Sequence, residues 1–248
     1  MNQELRSLWS KKLSLNWKFG LFLILIVCVP RFILVLHANV SGSYGLIGIV
    51  MFISVLIPFI FLNRKGQKEA GIKKTKRYWW LFIAFVTGVI ASFALYYIGL
   101  VLYGNTYENW YVYIAKSYNI PAGINAGDRK ILFLIMAITG MTFSPIGEEL
   151  FFRGIVHSSF AKSVGESKAS VIDSTAFAVT HISHFGLVYV NQQWNFFAIP
   201  ALIWVAAMFL VSILFFLFKK HTQSVAGAIF CHAGFNLGMI YCIFYLLS

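Results

Sequence analysis

Seven apolar stretches, each of about 20 residues, constrain this chain more than any other feature of its sequence. Apolar and aromatic residues make up 59% of the 248 residues and charged residues only 11%, whereas soluble domains carry about 25% charged residues. The sequence therefore predicts an all-α fold, a polytopic integral membrane helical bundle with about seven (six to eight) transmembrane helices, in a single transmembrane domain over residues 1–248. The stretches cover 18–36, 44–62, 79–103, 131–153, 169–188, 195–218 and 223–246.

The fifth and the first of these stretches are less regular than the others. The fifth stretch is the weakest candidate span because it contains Asp173, Thr180 and His181. The first is interrupted by Pro30, which is expected to kink or split the helix because proline lacks a backbone N–H. Arg31 follows this proline, and the sequence identifies no partner for its charge.

The distribution of basic residues predicts the orientation of the chain. Lys and Arg total 20 against 8 Asp and Glu, which gives a net charge of +12. If all seven stretches span the membrane, sixteen of the Lys and Arg residues lie on the same side as the N-terminus. Only Lys116, Arg129 and Lys130 lie on the other side. The positive-inside rule therefore predicts a cytoplasmic N-terminus and an outer C-terminus, and it explains the basic charge without a nucleic-acid partner. The short chain and its Phe-, Ile- and Lys-rich composition indicate a bacterial cell membrane. The connection 104–129 is rich in Tyr and Trp and is expected to rest at the lipid headgroups.

Ionisable and amide side chains inside the apolar stretches are the main functional signal, because burying one in a bilayer costs a few kcal/mol. Three stretches carry them at similar depth, roughly 13–20 Å from the predicted cytoplasmic ends at about 1.5 Å per residue. This predicts a shared cavity open to the cytoplasm, with the motifs within 131–246, although a helix-packing network is the alternative. The side chains are Glu148, Glu149, Arg153, His181, His232 and Asn236.

Helical spacing separates the two glutamates. Glu149 and Arg153 are four residues apart, which predicts an ion pair, and His232 and Asn236 share a face for the same reason. Glu148 lies about 100° further around the helix. Without a neighbouring cation it suits a general base. Three other histidines are expected at the membrane interface: His37, His157 and His221.

Three short motifs together resemble those of the CAAX protease and bacteriocin-processing family of intramembrane proteases, also called the Abi family, which is similar to type II CAAX prenyl endopeptidases. The family motifs are EExxxR, FxxxH and HxxxN. They occur here in the family's order as Glu148-Glu149 with Arg153, Phe177 with His181, and His232 with Asn236.

The resemblance implies an intramembrane endopeptidase that cleaves peptide or lipidated-protein substrates near the cytoplasmic leaflet. It implies that Glu148 and His181 activate a water, and that His232 and Asn236 stabilise the oxyanion. Glu149 would then form the supporting ion pair. Its partners are a substrate in the membrane and the lipid bilayer, with no nucleic acid, and the oligomeric state is not specified.

No cofactor is favoured, although the residues leave zinc as an alternative. Glu148, His181 and His232 would supply three ligands to Zn²⁺ and leave the fourth position to water. The absence of an HExxH motif and the poor zinc affinity of an Asn236 amide favour activation of water without a metal.

Two functions of other classes are alternatives to the enzyme. One is a noncatalytic membrane scaffold or a bacteriocin self-immunity protein of the same family. The other is a transporter with a proton-carrying glutamate, which the lack of inverted-repeat symmetry disfavours. The intact motifs favour the enzyme, because a scaffold has no need for buried acids.

Overall fold

The computed structural model describes residues 3–247. Met1, Asn2 and Ser248 lie outside the described residues. The predictions of a cytoplasmic N-terminus and an outer C-terminus therefore fall on residues outside the described range. The helices are α1 (Ser7–Ser10), α2 (Trp17–Ser41), α3 (Gly45–Phe61), α4 (Arg64–Glu69), α5 (Tyr78–Tyr103), α6 (Trp110–Ala115), α7 (Ala126–Glu149), α8 (His157–Val164), α9 (Glu166–Thr180), α10 (Ala198–Thr222) and α11 (Val225–Tyr245), and the strands are β1 (Leu187–Val190) and β2 (Gln193–Phe196).

Five helices within residues 3–247 are long and apolar enough to cross a membrane. They are α2, α5, the continuous run Ala126–Val164 that contains α7 and α8, α10 and α11. The chain is an integral membrane helical bundle, as predicted, but the count of seven spans is not confirmed. The second stretch forms α3, an apolar helix of 17 residues. The fifth forms α9, a helix of 15 residues in which Asp173, Ser174 and Thr180 are buried.

The first span is one continuous helix, and it is not split at Pro30. The side chain of Asn16 accepts a hydrogen bond from the Phe19 N–H and caps the start of α2. Gly42 ends the helix in the left-handed conformation, at φ 72°, which glycine adopts without steric cost. This helix holds Arg31 near mid-bundle, where it is 4% exposed.

Helices α5 and α11 pack closely because glycines remove the side chains between them. A Cβ added at Gly88 or at Gly234 would overlap backbone carbonyl oxygens of the facing helix, those of Cys231 and Phe85. Small residues at such contacts are typical of membrane helix pairs. The contact fixes the depth of α11, and therefore of the polar residues that it carries.

The long helix Ala126–Val164 changes its winding directly after the paired glutamates. Residues Leu150–Val156 form a π-helix between α7 and α8. Short π-helical segments inside α-helices occur frequently at functional sites. All seven residues of this segment are buried, so the change of register lies within the core.

A β-hairpin that the sequence analysis did not anticipate follows α9. A 3₁₀ turn at His181–Ser183 leads into β1, which pairs antiparallel with β2 in the register Leu187↔Phe196 to Val190↔Gln193. The turn residues Asn191 and Gln192 both have positive φ, 53° and 62°, as expected for a two-residue hairpin. The hairpin brings the chain from mid-bundle to the start of α10.

The connection between α5 and α7 is folded into the protein and is not spread along the interface. Trp110, Tyr111 and Tyr113 are 0–4% exposed, so the expected position at the headgroups is wrong for these rings. Buried hydrogen bonds explain the difference. The Trp110 indole N–H donates to Leu95 O at 3.3 Å, and the Tyr111 hydroxyl donates to Ser92 O at 2.7 Å.

Candidate active site

A cavity of about 220 Å³ lies between α2, α7, α10 and α11, with the 3₁₀ turn after α9 on one side. The four residues to which the sequence analysis assigned catalytic roles all line it, and they come from three separate segments. The long helix holds one acid, the end of α9 holds one histidine, and α11 holds the other two groups. They are Glu148, His181, His232 and Asn236. The chain therefore brings these four side chains to one space.

The cavity extends from mid-bundle toward the end of the bundle opposite the basic loops. Tyr44, Ile114 and Tyr118 line it, and all three lie in connections at that end. Among the described residues, none of the lining side chains comes from the connections at the basic end. The connections that contribute lining side chains thus lie at the end opposite the basic loops, and the opening of the cavity to the cytoplasm stays a prediction.

Glu148 is held by a cation from a distant helix. Arg31 Nη2 donates to Glu148 Oε1 at 2.8 Å, and both side chains are at most 5% exposed. The Ser144 hydroxyl, one turn earlier on α7, donates to the same oxygen. The other oxygen, Oε2, is buried without a hydrogen-bond partner among residues 3–247. The expectation that Glu148 lacks a cation is thus wrong, because its partner is 117 positions away in the chain.

His181 is fixed by hydrogen bonds on both its ring and its backbone. Its Nδ1 lies 2.7 Å from Phe177 O, and its carbonyl accepts from Trp204 Nε1 at 3.0 Å. A carbonyl only accepts, so Nδ1 carries the hydrogen and Nε2 of the neutral ring has a free lone pair. His181 Nε2 lies 4.0 Å from Glu148 Oε2. Two acceptors therefore face each other across a gap.

Glu149 belongs to a closed network on the other side of the helix. Arg153 Nε lies 3.2 Å from Glu149 Oε2, which is the ion pair that the spacing predicts. His232 Nδ1 donates to Glu149 Oε1 at 2.8 Å, and its ring stacks on Phe215 at 4.6 Å between centroids. Arg153 also donates to Ser212 O at 3.0 Å. Glu149 thus orients a cavity histidine in addition to pairing with the arginine.

Asn236 has one donor committed and one available. Its Nδ2 donates to Gly140 O at 2.9 Å, and a side-chain amide carries two N–H donors. Gly140 and Asn236 both line the cavity. The second N–H is therefore free to bind an oxygen atom inside the cavity.

A second buried network extends away from the cavity toward the basic end. His157 itself is 1% exposed, and its position relative to the membrane interface stays a prediction. Its Nδ1 lies 2.6 Å from Asp173 Oδ2 and its Nε2 lies 2.8 Å from Glu166 Oε2. The hydrogen bond with His157 holds the pKa of Glu166 below its ordinary value. Asp173 also lies 4.0 Å from Arg153, which joins this network to that of Glu149.

The donors around the cavity meet the requirements of a zinc site only in part. Glu148 has a free oxygen, and a neutral His181 or His232 has a free Nε2, with Nδ1 oriented by a carbonyl or a carboxylate as is common for zinc ligands. Across residues 3–247, however, no group of three or more His, Cys, Asp or Glu side chains is close enough to hold a metal ion. The individual donors suit zinc, but their arrangement does not form a three-ligand site.

Arg31 and Ser144 are the residues of this site that sequence reasoning did not assign. A charged residue in the middle of an apolar stretch was a visible signal for Arg31, but its partner depends on how α2 packs against α7. Ser144 lies one helical turn before Glu148, and this spacing alone was enough to suggest the hydrogen bond.

Comparison with known proteins covers the part of the chain that carries this site. Residues 130–238 match the family model described as Rce1-like, type II CAAX prenyl endopeptidase Rce1-like. No curated protein and no solved structure matches the chain. The matched segment is somewhat less than half of the chain and contains all three motifs. This chain is therefore similar, over residues 130–238, to the Rce1-like type II CAAX prenyl endopeptidases, a family of membrane proteases.

Proposed function

We propose that this protein is an intramembrane endopeptidase in which Glu148 is the general base. The family match supports intramembrane endopeptidase activity in general. The observation that carries the specific proposal is the gap of 4.0 Å between Glu148 Oε2 and His181 Nε2. Both atoms are acceptors, so a molecule with two hydrogens is needed between them, and a water satisfies both.

The reaction follows from these positions. The water oxygen attacks the scissile carbonyl carbon while its proton passes to Glu148 Oε2, and His181 holds the second hydrogen. Arg31 and Ser144 occupy Oε1, so the carboxylate presents Oε2 to the water. Collapse of the tetrahedral intermediate breaks the C–N bond, and Glu148 returns the proton to the leaving amine.

The oxyanion is assigned to Asn236 and His232. Asn236 supplies its second N–H in any protonation state. His232 donates Nδ1–H to Glu149, so a hydrogen on Nε2 requires the imidazolium form. We therefore assign the larger share of oxyanion stabilisation to Asn236. The water in this mechanism is activated by protein groups alone.

The test of this assignment is Glu148→Gln, which keeps the shape of the side chain but cannot accept the proton. General-base catalysis contributes about 10²–10⁴ in rate, and we expect turnover of a quenched peptide to fall by that factor. Glu108→Gln is the matched control, because Glu108 is an exposed acid in the 104–125 connection and does not line this cavity. Full turnover by Glu148→Gln would exclude this residue as the base.

We also propose that substrates reach the site from the end of the bundle opposite the basic loops. The basic bias predicts a cytoplasmic N-terminus and cytoplasmic basic loops, and the cavity extends to the other end. Cysteines introduced at Gln67 and Asn191 should therefore be labelled from opposite sides of a sealed membrane. The three native cysteines are buried, which keeps background labelling low. Labelling of both positions from one side would contradict the proposed topology.

A further inference from the structure

A second cavity, of about 470 Å³, adjoins the active-site cavity at the hairpin end of the bundle. We call it the hairpin pocket. It is formed by the last turn of α2, by α6 with the turn after it, and by the hairpin. Its lining residues include Asn39, Tyr113, Lys116, Asn119, Tyr189 and Gln192.

The hairpin pocket and the active-site cavity share part of their lining. Tyr44, Ile114, Ser117 and His184 line both of them. An extended peptide whose scissile bond lay beside Glu148 would reach the hairpin pocket by passing these four residues. The rest of the active-site cavity offers it a different surface, because α10 and α11 contribute apolar and aromatic side chains such as Trp204 and Phe235.

The hairpin pocket is polar and has one charged group. Lys116 is the one Lys, Arg, Asp or Glu among the lining residues within the described part of the chain. Its Nζ donates to Tyr189 O at 2.9 Å and lies 5.3 Å from the ring centroids of Tyr107 and Tyr113. An ammonium has three donors, so two remain after the contact with Tyr189. The cation is held in place and is still able to bind an anion.

The hairpin supplies further polar groups that are not used within the protein. The side chains of Asn191 and Gln192 are exposed, line the pocket and form no hydrogen bond within residues 3–247. The edge of β1 is fixed to α6, because Tyr189 N–H donates to the Tyr113 hydroxyl at 2.8 Å. Primary amides both donate and accept, which matches the backbone of an extended peptide.

We propose that the hairpin pocket binds the polar segment of the substrate on one side of the scissile bond and that Lys116 binds a carboxylate of this segment. This inference rests on the proposed endopeptidase function and adds a substrate class to it: a peptide with an apolar segment in the active-site cavity and an acidic segment in the hairpin pocket. The carboxylate is either the C-terminal group or an Asp or Glu side chain.

Three related peptides distinguish the two sources of the carboxylate. The first has a free C-terminus and no acidic side chain. The second is its C-terminal amide, and the third is that amide with one Glu added in the polar segment. Equilibrium binding is measured on Glu148→Gln in nanodiscs, so that it does not depend on turnover. Loss of a hydrogen bond to a charged group costs about 10- to 100-fold in affinity. We expect the amide to bind that much more weakly than at least one carboxylate peptide.

Lys116→Met, placed in the same background, should weaken the carboxylate peptide by the same factor and leave the amide unchanged, whereas Lys116→Arg should retain the preference. Lys130→Met is the matched control, because Lys130 is an exposed cation at the same end of the bundle and lines neither cavity. With the active enzyme, Lys116→Met should raise KM and leave kcat unchanged.

If the Glu148→Gln protein with Lys116 intact bound all three peptides equally, the inference would be overturned without any Lys116 variant. The absence of any binding would overturn it too. Equal weakening of the carboxylate and amide peptides by Lys116→Met would show that Lys116 only supports the hairpin. If binding depended on the carboxylate but the unsubstituted protein did not hydrolyse the peptide, the hairpin pocket would still be a carboxylate-binding site. That result would contradict the proposed endopeptidase function instead.

Discussion

The two neighbouring glutamates of α7 occupy regions with opposite properties. Glu148 faces a cavity, has one oxygen held by Arg31 and has its other oxygen unpaired. Glu149 lies in a closed network with Arg153 and His232, and its side chain is completely buried. One residue position, about 100° around the helix, separates a carboxylate that is available for chemistry from one that organises its surroundings.

The closed region should depend more on its arginine for stability than the open region does. Arg153→Met leaves Glu149 without its guanidinium partner in the core, and breaking a buried ion pair in this way costs about 3–5 kcal/mol. Arg31→Met should cost less, because Glu148 lines the cavity and keeps its hydrogen bond with the Ser144 hydroxyl. Unfolding of both variants in detergent measures the difference. Equal losses of stability would show that the two regions do not differ.

Asn236→Ala tests the open region without changing its charges. Loss of one oxyanion donor typically lowers kcat by about 10²–10³, and we expect this fall with KM nearly unchanged. Asn195→Ala is the matched control, because Asn195 is an exposed amide on β2 that lines neither cavity. A higher KM with unchanged kcat would instead place Asn236 in substrate binding.

Prolonged chelation should have the smallest effect, with activity unchanged. Glu148 and His181 are proposed to hold the reacting water themselves, so removal of metal ions removes no part of the mechanism. Elemental analysis of the purified protein accompanies the assay. Stoichiometric zinc whose removal and return switch activity off and on would show that the open region is a metal site, with a metal-bound water as the nucleophile.

The local pairs of this site were predictable because helical spacing alone determines them. Glu149 and Arg153, four residues apart, form the expected ion pair. His232 and Asn236, also four apart, line the same cavity. The apolar stretches likewise predicted a helical membrane protein, because a bilayer requires long apolar helices. The catalytic roles of the individual residues remain predictions. The variants Glu148→Gln and Asn236→Ala test two of them.

The long-range contacts were not predictable in the same way. Arg31 pairs with Glu148 across 117 positions, and His232 pairs with Glu149 across 83. Both contacts depend on the depth and rotation at which separate helices pack. Close approach at Gly88 and Gly234 sets that depth for α11, and a motif on one helix carries no information about it.

The sequence by itself determined the helical membrane fold, the chemical groups of the site and the pairs within one helix turn, because hydrophobicity and helical period act locally. Only the tertiary structure decided the partner of Glu148, the division of the two glutamates between open and closed regions, and the connections that line the cavity. Those features depend on packing between segments far apart in the chain, such as α2 against α7 and α6 against α11.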